Sequence, residues 1–270
     1  MSKSIREQFT AHTLAGVDPT SSAGVKNKEK ALALVESLGP LFREQQTRLY
    51  ANQDRAILLV LQGMDGCGKD GVVKHVVDLF YPTSVRVTSF KAPTEQEQEH
   101  DFLWRFRQHL PSPGTIAVFN RSWYEDVGIA KVHNLAEPAV IDERYGLIND
   151  FEQEVAGSGI TVLKCFLHVS YDEQRQRMLD RLADPTKRWK FKEADLEERR
   201  FWLQYMDVYD TAIQRCSRES TPWYVVPADH KWYRDWVVSQ LVAETLTELQ
   251  LEYPVPHLDI EALTKRLTSD

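Results

Sequence analysis

The stretch AILLVLQGMDGCGKDGVVKHVV, residues 56 to 77, constrains the fold more than any other part of the chain. A short continuous apolar run bounded by glycines fits a parallel strand buried on both faces. Beyond the glycines, Val72, Val73, Val76, Val77 and Phe80 recur at helical spacing on one face. Between strand and helix, Gly63-Met64-Asp65-Gly66-Cys67-Gly68-Lys69 fits G-x-x-x-x-G-K. Such a loop turns backbone N–H groups inward, the helix N-terminus adds a partial positive charge, and Lys69 adds a full one. A di- or polyphosphate is therefore expected there, held by Gly63, Gly66, Cys67, Gly68, Lys69 and the helix start at Asp70. Cys67 reads as a small filler residue.

The position after the lysine normally carries a hydroxyl that binds magnesium; here it is Asp70. The metal must then be held elsewhere. Asp65 lies inside the loop, and a carboxylate among phosphates makes sense only with a cation between them. Asp65 is accordingly expected to hold Mg²⁺. For Asp70 two roles stay open: a functional one, and a plain helix-start aspartate favoured by the dipole.

Further apolar runs at 85–90, 115–120, 160–169 and 223–228 read as strands. Helical segments are expected between them at 70–80, 94–109, 137–156, 170–183 and 195–216, with a closing helix at 231–250. The alternation predicts an α/β fold, with an open parallel sheet and helices on both faces. The expected organisation is an N-terminal arm and helical extension over 1–52, a main domain over 53–254, and a loosely packed tail over 255–270. Residues 1–26 read as an extended arm and 28–51 as helix, broken near Pro40. With 42% apolar residues and a net charge of −7, the chain is neither disordered nor generally basic, so any polyanion site is a local patch. No nucleic-acid partner is expected. Three scattered cysteines form no disulfide framework, and no run reaches membrane-spanning length, so a cytoplasmic protein without a membrane partner is expected.

The strand TIAVFN ends at Asn120-Arg121-Ser122, which in phosphate-loop folds faces the loop. Asn120 is a neutral oxygen donor for the metal, direct or through water. Arg121 suits a bidentate clamp on a transferring phosphoryl group. Lys187, Arg188, Lys190 and Lys192 cluster within the segment 183–200, where a small kinase carries a mobile lid whose cations neutralise developing charge. Arg177 and Arg181, four apart, share a helix face and extend that patch. Phe90 and Lys91 end the second strand and suit a nucleotide's base and phosphate. A solvated charge run and ordinary core packing are the alternatives for these last groups.

GMDGCGKDG, SFKAP, HDFLWR, FNRSWYEDV, KRWKF and WYVVPADHKWYRD occur in this order over residues 30 to 250. Together they resemble the polyphosphate kinase 2 family, and within it the class III subgroup that acts on nucleoside mono- and diphosphates. Asp70 is that subgroup's own pattern. The resemblance implies a thymidylate-kinase-like P-loop kinase fold with a helical lid. It implies inorganic polyphosphate as donor, AMP and ADP as acceptors with guanine nucleotides beside them, and Mg²⁺. Asp65, Lys69 and Arg121 would hold the phosphoryl group and metal, Arg188 would come from the lid, and Glu125 would lie near the acceptor. Lys74, Arg177 and Arg181 would line a channel for the polymer, and the molecule would be a homodimer or homotetramer. An ATP-dependent nucleotide kinase of the same fold is the alternative enzyme, and a polyphosphate-binding protein without turnover is the alternative outside enzymes.

Overall fold

Five strands form where the apolar runs lie: β1 (Ala56–Gln62), β2 (Val85–Ser89), β3 (Ile116–Asn120), β4 (Ile160–His168) and β5 (Trp223–Pro227). They make one wholly parallel sheet in the order β2-β3-β1-β4-β5. This is a computed structural model and describes residues 3–269; Met1, Ser2 and Asp270, at the ends of the expected arm and tail, lie outside them. All of β1 is buried, as a central strand covered on both faces must be. The register sets Leu61 opposite Asn120 and Gln62 opposite Phe166, which brings the carboxyl ends of β1, β3 and β4 together.

The helices are α1 (Ile5–Phe9), α2 (Lys28–Ser37), α3 (Gly39–Asn52), α4 (Lys69–Val77), α5 (Glu95–Gln98), α6 (Trp104–Arg107) and α7 (Glu125–Val132), followed by α8 (Pro138–Gly157), α9 (Tyr171–Ala183), α10 (Ala194–Arg200), α11 (Trp202–Cys216), α12 (Lys231–Glu248) and α13 (Ile260–Ser269). Helices α1, α2, α3 and α4 pack with α12, and α7, α8 and α11 pack with one another, so the sheet has a helical layer on each face. The fold is the α/β fold expected from the alternation, a parallel sheet with helices on both faces.

Several boundaries differ from the sequence reading, each for a physical reason. The expected break near Pro40 falls just before it, with the proline at the second position of α3, where its missing N–H costs nothing. The single helix expected over 94–109 is two four-residue helices. Thr94 caps the first with a reciprocal capping box, and the Asp101 carboxylate accepts from Leu103 N and turns the chain between them. The helix expected over 195–216 divides at Phe201. Helix α7 was unforeseen, because its first turn, Glu125-Asp126, reads as a charged turn. The arm is mostly irregular but not loose: Phe9 and Val25 join the core, and Thr10 bridges Tyr224 of β5. The tail carries α13, none of whose residues is buried.

Beneath β3 and α7 lies a buried polar network. Lys164 of β4 and Glu152 of α8 are almost wholly inaccessible and pair at 2.5 Å. The Glu152 carboxylate also accepts from Trp123 Nε1 (3.0 Å), Tyr124 OH (2.7 Å) and Thr221 Oγ1 (3.2 Å). Lys164 donates further to Cys216 O at 2.7 Å and to Tyr124 OH at 3.1 Å. The Lys164, Glu152, Trp123 and Tyr124 polar groups are all paired, as burial demands. The network fixes Trp123 and Tyr124, and with them the turn that carries Arg121 and Glu125.

Candidate active site

The loop after β1 is shaped by what lies behind it. Gly63 has φ +143°, and a side chain there would meet Leu167 O at 2.8 Å. Gly68 has φ +103°, and a Cβ there would lie 1.9 Å from the Arg234 guanidinium. Arg177 of α9, buried among backbone carbonyls, donates to Gly66 O (2.9 Å) and Cys67 O (2.8 Å). Arg234 of α12 donates to Cys67 O as well, at 3.1 Å. Gln174 of α9 donates to Asp65 O at 2.6 Å. Three successive carbonyls are thus held outward. In a trans peptide the N–H points opposite the carbonyl, so the Gly66 and Gly68 N–H groups face the other way, as an anion cradle requires.

Lys69 opens α4 and is 7% exposed; its Nζ donates to Gly63 O (2.7 Å) and Met64 O (3.3 Å) and lies 3.9 Å from Asp65 Oδ1. Arg121 follows β3 in the left-handed region at φ +70°. Its N–H is tied to Leu61 O at 3.0 Å, which holds this uncommon conformation against the end of β1. From there its guanidinium reaches Asp65 Oδ1 at 2.5 Å and Glu125 Oε2 at 3.4 Å. Burial alone would raise the Asp65 pKa, but the Lys69 ammonium and Arg121 guanidinium outweigh it and hold the carboxyl below the usual range. Glu125 is also bonded by the amide of Gln62, whose oxygen accepts from Ser122 Oγ at 3.1 Å.

Asp70 is exposed in the first turn of α4, and its Oδ1 accepts from Asn120 Nδ2 at 2.8 Å. Asn120 therefore turns its Oδ1 away from Asp70. Asp65 and Asn120 offer hard oxygen donors at one end of the sheet, and no group of three or more His, Cys, Asp or Glu side chains forms a metal cage among the described residues. That donor set fits Mg²⁺, which takes one or two protein oxygens and completes its shell with water and substrate phosphates.

The structure thus gathers Gly63, Gly66, Cys67, Gly68, Asp65, Lys69, Asp70, Asn120, Arg121 and Glu125. Arg181 is half-buried on α9, near enough for its charge to act on Asp65. Other candidates lie differently. Phe90 is 6% exposed, with its ring packed on Phe106, Phe119 and His109, so it is a core residue and has no face free for a base. Lys91 is exposed beside it. Arg177 holds loop carbonyls and does not line a channel. Lys74 is exposed on α4. Lys187 pairs with Asp184 at 2.6 Å, and Arg188 donates back to Leu182 O at 2.7 Å in an exposed 3-10 turn at Arg188–Lys190. Gln62, Gln174 and Arg234 were missed; a polar residue closing an apolar strand was the one local signal, at Gln62.

A phosphate loop that carries Asp65 and Lys69, set after the central strand of a β2-β3-β1-β4-β5 parallel sheet and met by Arg121 from the end of β3, defines a phosphotransferase of the phosphate-loop kinase fold. Comparison narrows the class: the family model described as Polyphosphate kinase 2 matches residues 25–253, and the chain belongs to that family. It is 45% identical over 247 residues to the AMP/ADP-polyphosphate phosphotransferase of Meiothermus ruber, covering 91% of this chain and 92% of the relative. It is 44% identical over 250 residues to the ADP-polyphosphate phosphotransferase of Rhodopseudomonas palustris, covering 88% and 85% of the two chains. The crystal structure of Polyphosphate Kinase 2 from Arthrobacter aurescens TC1 superposes with a TM-score of 0.96 at 42% identity, over 99% of this chain and 98% of that one. Among the described residues no helix is long and apolar enough to cross a membrane.

Proposed function

We propose that this protein transfers the terminal phosphoryl group of inorganic polyphosphate to AMP and ADP, giving ADP and ATP. The observation that carries the proposal is the cluster of Asp65, Lys69, Arg121 and Glu125 at the carboxyl ends of β1 and β3, in a chain whose relatives bear the names given above. The acceptor is a phosphate oxygen that is already anionic, so no strong general base is needed. Catalysis is positioning and charge neutralisation. The loop N–H groups and Lys69 hold the donor's terminal phosphates. Arg121, fixed by Asp65 and Glu125, clamps the group in transfer. Glu125 lies beside the acceptor. Arg181 and, on closure of the segment 184–200 as a lid, Lys187 and Arg188 bring further positive charge. Asp65 and Asn120 would hold Mg²⁺, which when bound supplies charge neutralisation between the phosphates. Lys74 and Lys91 are free to meet the polymer and the nucleotide phosphate. Donor and product bonds are both phosphoanhydrides, so concentrations set the direction.

Purified protein with polyphosphate, Mg²⁺ and either AMP or ADP tests this by nucleotide chromatography. ADP and then ATP from AMP is the expected result. Product from ADP alone would remove AMP from the acceptors, and transfer only from ATP would make the protein an ATP-dependent kinase of the same fold. A homodimer or homotetramer in the cytoplasm completes the proposal, supported by the family resemblance; sedimentation velocity reads the assembly.

A further inference from the structure

We propose that Gln174 is a positioning residue that joins the lid to the phosphate loop, so that the two reach their working arrangement together. This rests on the reading of the chain as a polyphosphate-driven kinase with a lid over residues 184–200. Gln174 is 1% exposed, and its amide is used at both ends. Nε2 donates to Asp65 O in the loop at 2.6 Å. Oε1 accepts from Arg199 Nη1 on α10, in the lid. The assignment of the two ends is forced, because a guanidinium can only donate and a carbonyl can only accept. Arg199 is itself buried; it also donates to Tyr171 O at 3.1 Å and lies 3.8 Å over the Tyr171 ring.

The coupling follows from the cost of an unpaired buried group. If α10 withdraws Arg199, Oε1 becomes a buried acceptor without a donor. Turning the amide to seek another partner releases the Asp65 carbonyl. Asp65 is also the residue whose carboxylate meets Arg121 and Lys69, so the joint acts on the catalytic carboxylate through its own backbone. The arginines behind the loop have no such reach: among the described residues Arg177 and Arg234 bond only to the loop, to the β5–α12 turn and to acidic neighbours on their own helices.

Three variants separate the two ends. Gln174→Glu keeps an acceptor for Arg199 but sets a carboxylate oxygen against Asp65 O. Gln174→Leu removes both contacts, and Arg199→Met removes the lid side alone. With polyphosphate, ADP and Mg²⁺, kcat is expected to fall about tenfold to a hundredfold in each, while KM for ADP stays within about threefold. The Gln174→Leu/Arg199→Met double variant is expected to be no slower than the slower single variant. Hydrogen exchange gives a readout without turnover: tripolyphosphate with Mg²⁺ slows exchange of amides 194–200 in the wild type but not in Gln174→Leu. Unchanged kcat in both Gln174 variants, losses that multiply in the double variant, or equal lid protection in wild type and Gln174→Leu would each overturn the proposal. Should Gln174→Leu fail to fold by circular dichroism, the double variant and the exchange comparison are made with Gln174→Glu in its place. A wild type without turnover that still shows the exchange pattern would remove the kinase reading and leave the joint standing.

Discussion

At residue 69 a nearly buried ammonium caps two loop carbonyls and faces Asp65, so its charge is already aimed where phosphate oxygens would sit. Lys69→Ala is expected to lower kcat on the order of a thousandfold in the polyphosphate and ADP assay, with the fold intact by circular dichroism. Gly68 has a different burden. Its φ of +103° strains any other residue, and a Cβ there would also push the buried Arg234 guanidinium off its place beside Cys67 O. Gly68→Ala is expected to cost about 2 kcal/mol or more in urea unfolding, and at least tenfold in turnover. Asp126 bears on pH. Burial, helped by Glu125 and opposed by Arg144 and Arg105, lifts its pKa to about 6. Below about pH 4 the group is protonated folded or unfolded and costs nothing. Its cost grows as pH rises from about 4 to 6 and is complete above that. Asp126→Asn should therefore raise thermal stability at pH 7.5, by at most about 3 kcal/mol, with the gain fading between pH 6 and 4.

Among elements, the turn between β3 and α7 depends most on a support it does not contain. Trp123 and Tyr124 are both fixed by Glu152, and Glu152 is neutralised by Lys164. Lys164→Met would leave a buried carboxylate without its cation and is expected to cost about 3–5 kcal/mol, read by urea unfolding. The strands were legible because each is a bounded apolar run, and the phosphate loop because its glycines, its lysine and its setting agree. Helix α7 was hidden, since the polar residues of its first turn serve the site rather than mark a face. Residues 94–109 misled because the first short helix, α5, buries none of its residues, and the buried Leu103 and Phe106 both belong to the second, at the cap and within α6. The lone lysine in ITVLKCFLHV was the one visible trace of the buried network. Gln174 and Arg234 gave no local trace, and Arg177 read as part of a cationic face rather than as a support: they meet the loop from 109, 167 and 111 residues away, and only the closed fold shows those contacts.

Taken whole, the molecule treats its two ends unequally. The arm sets Phe9 and Val25 into the core, and its Arg6 pairs with Glu248 of α12. Helix α13 buries nothing, and Leu267 on it is 80% exposed. Removing residues 255–270 is expected to leave the melting temperature within about 2 °C of the full chain by scanning calorimetry, a change under about 0.5 kcal/mol. The core has a consequence in time. Because Arg177 of α9 and Arg234 of α12 hold the carbonyls of residues 66 and 67 without reaching the lid, that part of the anion cradle is formed when the chain folds and persists through every later encounter. Successive donors meet the same surface, and the order lost as each chain of phosphates docks belongs to the polymer rather than to the loop.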